Sequence, residues 1–325
     1  MRRTSIINAV LPALLAVGTA AAQNPAQYPA KAIRMIVPSA PGSGPDIMAR
    51  TIAQKLTEAW GQTVVVEARP GAGGIIGSEA VAKAPPDGYT LIMGNAGSHS
   101  VNPSLYSKLP YDPLKDFAPV ALVSSAPNIL IVHPSLPVKS AKDLITLAKA
   151  RPGELTFGSG GNGSTAHLSG EMFRTMAGIK LVHVPFKGAP AAVLGVMTGE
   201  ISMAILNLPP ALPHVRSGRL KALGVSTSKR SAAVPDLPTI AESGLPGYAA
   251  TAWYGVLAPA GTSREIILKL NTEIVKSLRN DEVKKRIASD GGEVIGSTPE
   301  EFTAVMKTDI AKWAKVVQAS GARVD

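Results

Sequence analysis

Residues 155–171 read LTFGSGGNGSTAHLSGE, and this stretch decides the fold. Leu155 and Phe157 predict the end of a strand, and helix-forming residues follow from Ala166. The first N–H groups of a helix lack intrahelical acceptors and carry partial positive charge, so a loop placed there favours a small anion. A tight glycine turn that serves packing alone is the alternative. The candidate ligand residues here are Ser159, Gly160, Asn162, Gly163, Ser164, Thr165 and His167.

A second loop of the same type lies far upstream, where the apolar residues 33–37 are followed by PSAPGSGPD at 38–46. Its glycines permit close approach of the backbone to a ligand. Asp46 either caps the following helix or accepts a hydrogen bond from the ligand. Two such loops indicate two lobes that hold a small acid between them. The candidates in this loop are Ser39, Ala40, Gly42, Ser43, Gly44 and Asp46.

Strand, loop and helix alternate over 33–95 and again over 155–225, which predicts α/β architecture with parallel strands and helices on both faces. Between these regions, 120–123 and 129–132 read as two β-rich runs without a helix between them. We expect lobe 1 to comprise 23–124 and 229–325, and lobe 2 to comprise 125–228. Thr262 and Thr298 predict the starts of two C-terminal helices, whose apolar residues, Trp313 included, should close lobe 1.

Two asparagines follow predicted strands and are expected to make lateral polar contacts with the ligand, since ligands of open α/β sheets bind at the carboxyl ends of strands. These are Asn95 and Asn207. Phe186 and Tyr254 either line the apolar part of the site or pack in the core. His167, in the first turn after the glycine loop, either supports the loop or contacts the ligand.

Composition excludes several other classes. The 325 residues are 45% hydrophobic and 17% charged, as in a compact globular protein. The net charge of +10 comes from scattered basic residues with few aromatics, so nucleic-acid binding is not expected. The absence of cysteine excludes disulfides and thiolate chemistry. The spacing Gly158-x-Gly160-x-x-Gly163 matches a dinucleotide fingerprint, but 172–198 contain no carboxylate for a ribose.

Catalytic motifs are also missing. There is no nucleophile elbow, Walker phosphate loop or zinc-protease helix, and the histidines have no metal-ligand spacing. We therefore expect neither catalysis nor a cofactor or metal. A secreted hydrolase or isomerase that uses the same cleft is the rival interpretation.

The first residues predict export. Met1, Arg2 and Arg3 precede an apolar run at 6–17, and small residues at 19–22 resemble a signal peptidase site. We expect a signal peptide over 1–22 and a mature protein released into the periplasm without an anchor. No later run is long and apolar enough to predict a transmembrane helix.

The mature sequence resembles the Bug (Bordetella uptake gene) or TctC-like solute receptors of tripartite tricarboxylate transport. The resemblance rests on collinear motifs: YPAK at 28–31, RMIVP at 34–38, VEARPGAGG at 66–74, PDGYTL at 86–91, NPSLY at 102–106, YDP at 111–113, GS through HLSGE at 158–171, VPFKG at 184–188 and LPH at 212–214.

This resemblance implies a type II periplasmic-binding-protein fold, or Venus flytrap, in which two doubly wound lobes meet at a hinge and a central cleft. It also implies a monomer that binds a small carboxylate through the loops at 39–46 and 159–165, and membrane transporter subunits as partners. A receptor that signals to a membrane sensor is the alternative. Family members often carry an acidic residue where this chain has Leu206, so we expect a plain or aromatic acid rather than an amino acid.

Overall fold

A computed structural model describes residues 28–289 and 291–323, so the predicted signal peptide lies outside the described residues. The fold is α/β, as predicted. The first part contains β1 (Ile33–Val37), α1 (Gly44–Trp60), β2 (Val64–Ala68), α2 (Ile75–Ala82), β3 (Thr90–Asn95), a π-helical turn (Gly97–Val101), α3 (Asn102–Leu105) and β4 (Phe117–Val132).

The second part contains α4 (Ala141–Ala150), β5 (Thr156–Ser159), α5 (Thr165–Ala177), β6 (Val182–Pro185), α6 (Ala189–Thr198), β7 (Met203–Asn207), α7 (Leu208–Arg216) and β8 (Lys221–Val225). The chain then continues through β9 (Thr251–Pro259), α8 (Arg264–Ser277), α9 (Asp281–Ser289), β10 (Glu293–Val294) and α10 (Pro299–Ser320).

The strands follow the order β2-β1-β3-β9-β4-β7-β5-β6, with β8 and β10 also paired to β4. β1 is parallel to β2 and β3, and β5 is parallel to β6 and β7. In each half a strand leads into a helix across a short loop, so β1 and β5 deliver the two glycine-rich loops at their carboxyl ends. This is the edge at which open α/β sheets bind ligands.

β4 is one strand of 16 residues that contains both predicted β-rich runs, and no helix lies between them, as predicted. Its first part pairs antiparallel with β9, and its last part pairs with β7 and β8. Pro119 and Pro127 suggest interruptions because proline cannot donate to a ladder. The strand accommodates Pro119 with a shift in register beside it. β4 therefore runs continuously from one half of the sheet into the other.

The core clusters suggest a different lobe boundary from the predicted one. Ile240, Leu245 and Tyr248 belong to the same buried cluster as Leu130 and Phe157 of the second half. Because the predicted division ends lobe 2 at 228, it assigns these side chains to the other lobe. We propose that lobe 2 extends to the start of β9.

The C-terminal helix α10 contacts both halves. Phe302 packs with the β3 and β9 side of the sheet, as predicted, whereas Trp313 lies in a cluster that joins Val101 and Leu105 of the first part to side chains of the second half. The 22 residues of α10 span about 33 Å at 1.5 Å per residue, which is long enough to reach both. That Trp313 closes lobe 1 stays a prediction. Asp309 links the two sides, because its carboxylate accepts hydrogen bonds from Trp253 Nε1 at 2.9 Å and from Trp313 Nε1 at 3.2 Å.

The predicted capping box of α10 is confirmed. Thr298 Oγ1 accepts a hydrogen bond from the Glu301 N–H at 3.1 Å, and Glu301 Oε2 accepts one from the Thr298 N–H at 2.9 Å. For α8, the cap is Ser263 rather than the predicted Thr262. Thr262 instead donates its hydroxyl to the carbonyl of Pro259 at 2.8 Å.

Replacing the Thr298 cap of α10 should lower the stability of the protein modestly. Thr298→Ala removes the side-chain acceptor, and we expect the free energy of unfolding to fall by about 1 kcal/mol. Thr298→Ser keeps the acceptor and should stay close to the wild type. Urea denaturation of the three proteins measures the difference. Equal midpoints for the alanine and serine variants would mean that the cap contributes nothing.

Candidate functional site

The first loop connects β1 to α1. α1 begins at Gly44, so Asp46 is its third residue and is not the N-cap, which was one of the two alternatives considered for it. Ser43 occupies the cap position, but its hydroxyl accepts no hydrogen bond from the helix. Asp46 instead stabilises the loop, because its Oδ2 accepts hydrogen bonds from the Gly42 N–H and from Arg50 Nε, each at 3.0 Å.

These contacts decide which groups of the first loop can meet a ligand. The N–H of Gly42 bonds to Asp46, and that of Ser43 bonds to the Ala40 carbonyl at 3.2 Å. The N–H groups of Gly44 and Asp46 belong to the first turn of α1 and have no intrahelical acceptors. They are the natural anion donors of this loop, since Pro45 between them has no N–H.

The second loop connects β5 to α5. Ser164 caps α5, accepting the His167 N–H at 3.2 Å, and donates its own hydroxyl to the Gly161 carbonyl at 2.7 Å. Ser159 is fully buried, and its Oγ lies 2.7 Å from His183 Nε2 and 3.1 Å from the Gly161 nitrogen. Both serine hydroxyls are therefore bonded within the loop itself, contrary to the expectation that they hold the ligand.

The start of α5 keeps N–H groups that lack intrahelical acceptors. The N–H groups of Thr165 and Ala166 lie in the first turn, where no intrahelical acceptor exists. Thr165 is partly exposed, whereas Ala166 is buried. The candidate donor set of the second loop is thus smaller than the sequence suggests and is centred on Thr165.

A stacked pair of histidines supports this loop from inside the lobe. The rings of His167 and His183 are 4.0 Å apart and nearly parallel. His167 Nδ1 accepts the Gly163 N–H at 3.3 Å, while His183 contacts Ser159 at the other end of the loop. Of the two roles considered for His167, the contacts favour support of the loop.

Both rings are neutral near neutral pH. Burial, together with the neighbouring His183 and the more distant Arg174, lowers the pKa of His167 to about 3. Burial lowers the pKa of His183 to about 4. Because His167 Nδ1 accepts a hydrogen bond, its proton lies on Nε2, which points toward Glu171 Oε1 at 3.9 Å. Burial raises the pKa of Glu171 despite its hydrogen bond from Arg174.

The sequence reasoning missed His183. The sequence does contain a signal for it, because strands are predicted on both sides of the glycine loop, and in the structure His183 of β6 is paired with Phe157 of β5. A polar residue beside that position can reach the loop that follows β5.

Asn95, at the end of β3, lies close to both loops. Its Nδ2 is 3.5 Å from Ser39 Oγ of the first loop. Two residues later, Gly97 abuts the second loop so closely that a Cβ built on it would lie 2.8 Å from the Gly163 oxygen and 3.6 Å from the Thr165 nitrogen. The two loops therefore border one region of the molecule rather than opposite faces.

Asn207 and Tyr254 lie at the same region. Asn207 Nδ2 donates to the Tyr254 hydroxyl at 2.8 Å, and a Cβ on Gly44 would overlap the Tyr254 ring. Glycine is thus required at the first position of α1. Phe186 differs, since its ring packs against Gly158 in the second half and belongs to the periphery of a core cluster.

The candidates fall into three groups by burial. Gly42 and Asn162 are exposed, and Asp46, Ser159, Gly163 and His167 are buried; the partly exposed ones are Ser39, Ala40, Ser43, Gly44, Asn95, Gly160, Ser164, Thr165, Phe186 and Asn207. Over 28–289 and 291–323 no three or more acidic or histidine side chains cluster as metal ligands would. In the same ranges, the helices are all too short or too polar to cross a bilayer.

Two α/β halves that share β4, with two helix-start loops bordering one region, define a two-lobed solute-binding protein. The chain belongs to the TctC family, described as the tripartite tricarboxylate transporter family receptor, whose profile matches residues 48–322.

Individual relatives agree. Protein BugT of Bordetella pertussis is 38% identical over 325 residues, with both chains fully covered. The structure of R. palustris Rpa4515 with adipate is 40% identical, has a TM-score of 0.87, and covers 91% of this chain and 100% of that one. MatC (Rpa3494) from Rhodopseudomonas palustris with bound malate is 32% identical, has a TM-score of 0.84, and covers 89% of this chain and 100% of that one.

Proposed function

We propose that the protein captures a small carboxylate in the periplasm and delivers it to the membrane subunits of a tripartite tricarboxylate transporter. The observation that carries this proposal is the pair of helix starts, at Gly44 and Thr165, whose first-turn N–H groups border the same region beside Asn95. Each start carries partial positive charge and suits an anion. Exclusion of water when the lobes close would strengthen both interactions.

A dicarboxylate is the ligand class that we favour. The solved relatives that bind adipate and malate both hold diacids, and the first of these is 40% identical to this chain. Leu206 is fully buried in the core, so this position supplies no carboxylate for a ligand ammonium group. Aromatic acids are the second class to be tested.

The Ser159–His183 contact does not support catalysis. A nucleophilic serine must reach its substrate, whereas Ser159 is fully buried and its hydroxyl is bonded within the loop. No carboxylate orients His183 among its described hydrogen-bond partners. We infer that the cleft binds its acid without transforming it.

A thermal-shift screen tests the proposed function directly. The purified protein is heated with mono-, di- and tricarboxylates, aromatic acids and amino acids at about pH 7. A ligand at 100 times its Kd should add roughly 2.7 kcal/mol to the free energy of unfolding. We expect linear dicarboxylates such as adipate to raise the Tm and their mono-amides to raise it less.

Two results would contradict the proposal. One is the absence of stabilisation by every carboxylate at millimolar concentration. The other is turnover of the bound acid, followed by proton NMR, which would instead support the rival interpretation as an enzyme. Unchanged acid after prolonged incubation is the result that we expect.

A further inference from the structure

Glycine backbones bring the two halves of the molecule into contact beside the ligand loops. Gly97, in the π-helical turn after β3, lies so close to the second loop that a Cβ built on it would be 2.8 Å from the Gly163 carbonyl oxygen. Gly73, in the turn before α2, lies next to Asn162, because a Cβ built there would be 3.1 Å from the Asn162 carbonyl oxygen. We call this contact the glycine seam; it joins Gly73, Gly97 and Asn102 of the first half to Asn162 and Gly163 of the second.

The fit of the seam depends on the absence of side chains at its glycines. A Cβ built on Gly163 would lie 2.9 Å from Asn102 Oδ1 and 3.3 Å from Leu105 Cδ2. Such distances are repulsive, since non-bonded carbon atoms in contact are separated by about 3.5–4.0 Å. The two backbones can therefore approach each other here only because these positions are glycine.

Asn102 is buried within the seam with one polar atom uncompensated. Its Nδ2 donates to the Gly73 carbonyl at 3.1 Å and to the Tyr111 hydroxyl at 3.3 Å. Its Oδ1 finds no hydrogen-bond partner among residues 28–289 and 291–323, although the residue is fully buried. A buried amide oxygen without a donor costs free energy that contact with water recovers. Separation of the halves at the seam would let water reach this oxygen, so a closed seam is disfavoured unless a ligand offsets the cost.

The seam adjoins the groups that we assign to the ligand. The Cβ built on Gly97 would also lie 3.6 Å from the Thr165 nitrogen and 3.0 Å from Asn95 Oδ1. Asn95 Nδ2 is in turn 3.5 Å from Ser39 Oγ of the first loop. A wider seam would therefore move the first-turn N–H groups of α5 away from those of α1.

We propose that the glycine seam is the surface on which the two halves close, and that its tight fit determines how strongly a bound acid is held. In the ligand-free protein, the cost of the buried Asn102 oxygen favours an open seam. An acid that binds N–H groups of both helix starts draws the halves together and offsets this cost. The proposal rests on the proposed function, because the ligand supplies the free energy that closes the seam.

Gly97→Ala tests the proposal by placing one methyl group in the seam while every N–H donor stays in place. Gly97 is not among the glycines with positive φ, so alanine can adopt its backbone conformation. We expect the Kd for adipate, or for the acid that the thermal-shift screen selects, to rise about tenfold in isothermal titration. The Tm without ligand should stay at the wild-type value, because an open seam accommodates the methyl group. In small-angle X-ray scattering, saturating acid should contract the wild type more than the variant.

Asn95 requires its own control, because the added methyl group also approaches Asn95 Oδ1. Asn95→Ala removes that side chain, and a double variant combines it with Gly97→Ala. If the methyl group acts on the seam, the double variant should bind the acid about tenfold more weakly than Asn95→Ala alone. Equal Kd values for these two proteins would mean that the methyl group acts through Asn95, and would overturn the proposal.

The remaining outcomes separate this proposal from the proposed function. Equally tight binding by the wild type and Gly97→Ala would reject the seam alone. A lower ligand-free Tm in Gly97→Ala would show that the seam is closed without ligand, and binding without contraction of the wild type would show that no closure occurs; either would also reject it. If no acid binds to the wild type, the proposed function fails and this proposal fails with it.

Discussion

Acidification from about pH 7 to about pH 5 is expected to remove much of the protein's stability. Burial lowers the pKa of three histidines below the ordinary value of 6.5: His99 and His167 to about 3, and His183 to about 4. The folded protein keeps them neutral, whereas the unfolded chain protonates them below about pH 6.5. The three neutral rings therefore contribute fully to the free energy of unfolding above about pH 6.5, and this contribution is lost as the pH falls toward about 4.

The surroundings of these rings explain the size of the effect. His99 is fully buried, its Nδ1 contacts Ser98 Oγ at 2.8 Å, and its Nε2 has no hydrogen-bond partner. The ring packs edge-on against Phe117 with 4.7 Å between centroids. If His99 were protonated, its Nε2–H would have no hydrogen-bond acceptor. For His167, protonation at Nδ1 would break the bond from the Gly163 N–H.

Glu171 acts in the opposite direction. Burial raises its pKa, so the folded state retains a proton that the unfolded chain releases, and its contribution to stability falls as the pH rises. Between two and three protons are then taken up on unfolding near pH 5.5. Each changes the free energy of unfolding by about 1.4 kcal/mol per pH unit, which gives roughly 3–4 kcal/mol per unit.

Urea denaturation at a series of pH values between about 5 and about 7.5 measures this slope. His99→Phe removes one of the three groups and should reduce the slope by about one proton's share. Its stability near pH 7.5 should change much less. A free energy of unfolding that stays constant across this range would show that the buried rings do not resist protonation.

Removing the Thr165 N–H should weaken ligand binding by about 10- to 150-fold, because a hydrogen bond to a charged group contributes about 1.5–3 kcal/mol. Thr165→Pro does this with little disturbance. Thr165 is the first residue of α5, where proline is well tolerated. The preceding Ser164 has φ −67° and ψ 156°, an extended conformation that suits a residue before proline.

Thr165→Ala is the matched control, since it removes the hydroxyl and keeps the N–H. Isothermal titration of adipate, or of the acid that the thermal screen selects, gives the Kd of each protein. We expect the proline variant to lose far more affinity than the alanine variant, while both keep a wild-type Tm without ligand. Equal Kd values for proline variant and wild type would exclude this N–H from the site.

The sequence predicted the two helix-start loops because their signals are local. A strand end, a run of glycine and serine, and a helix start lie within each of the short stretches 33–46 and 155–167. The hydrogen-bond partners of the loop side chains could not be predicted. Nothing in the sequence shows that the Ser159 and Ser164 hydroxyls are bonded inside their loop, since the His183 contact comes from a neighbouring strand.

The continuity of β4 and the second contact surface of the C-terminal helix were not predicted, for a related reason. Pro119 and Pro127 divide the pattern of β4, and only its pairing with β7, β8 and β9 keeps it continuous. The apolar stripe of α10 shows that the helix is buried but not against what. The length of α10 lets Trp313 pack in the cluster that contains Phe157, while Phe302 packs in the cluster that contains Leu257.

The most direct test of the account is a titration of the ¹⁵N-labelled protein with adipate, followed through the backbone amide signals. If first-turn N–H groups of both α1 and α5 bind one carboxylate ligand, the amides of Gly44, Asp46, Thr165 and Ala166 should show large downfield proton shifts that saturate together at one Kd. Saturable binding that leaves the amides of both helix starts unshifted would contradict this mode of binding.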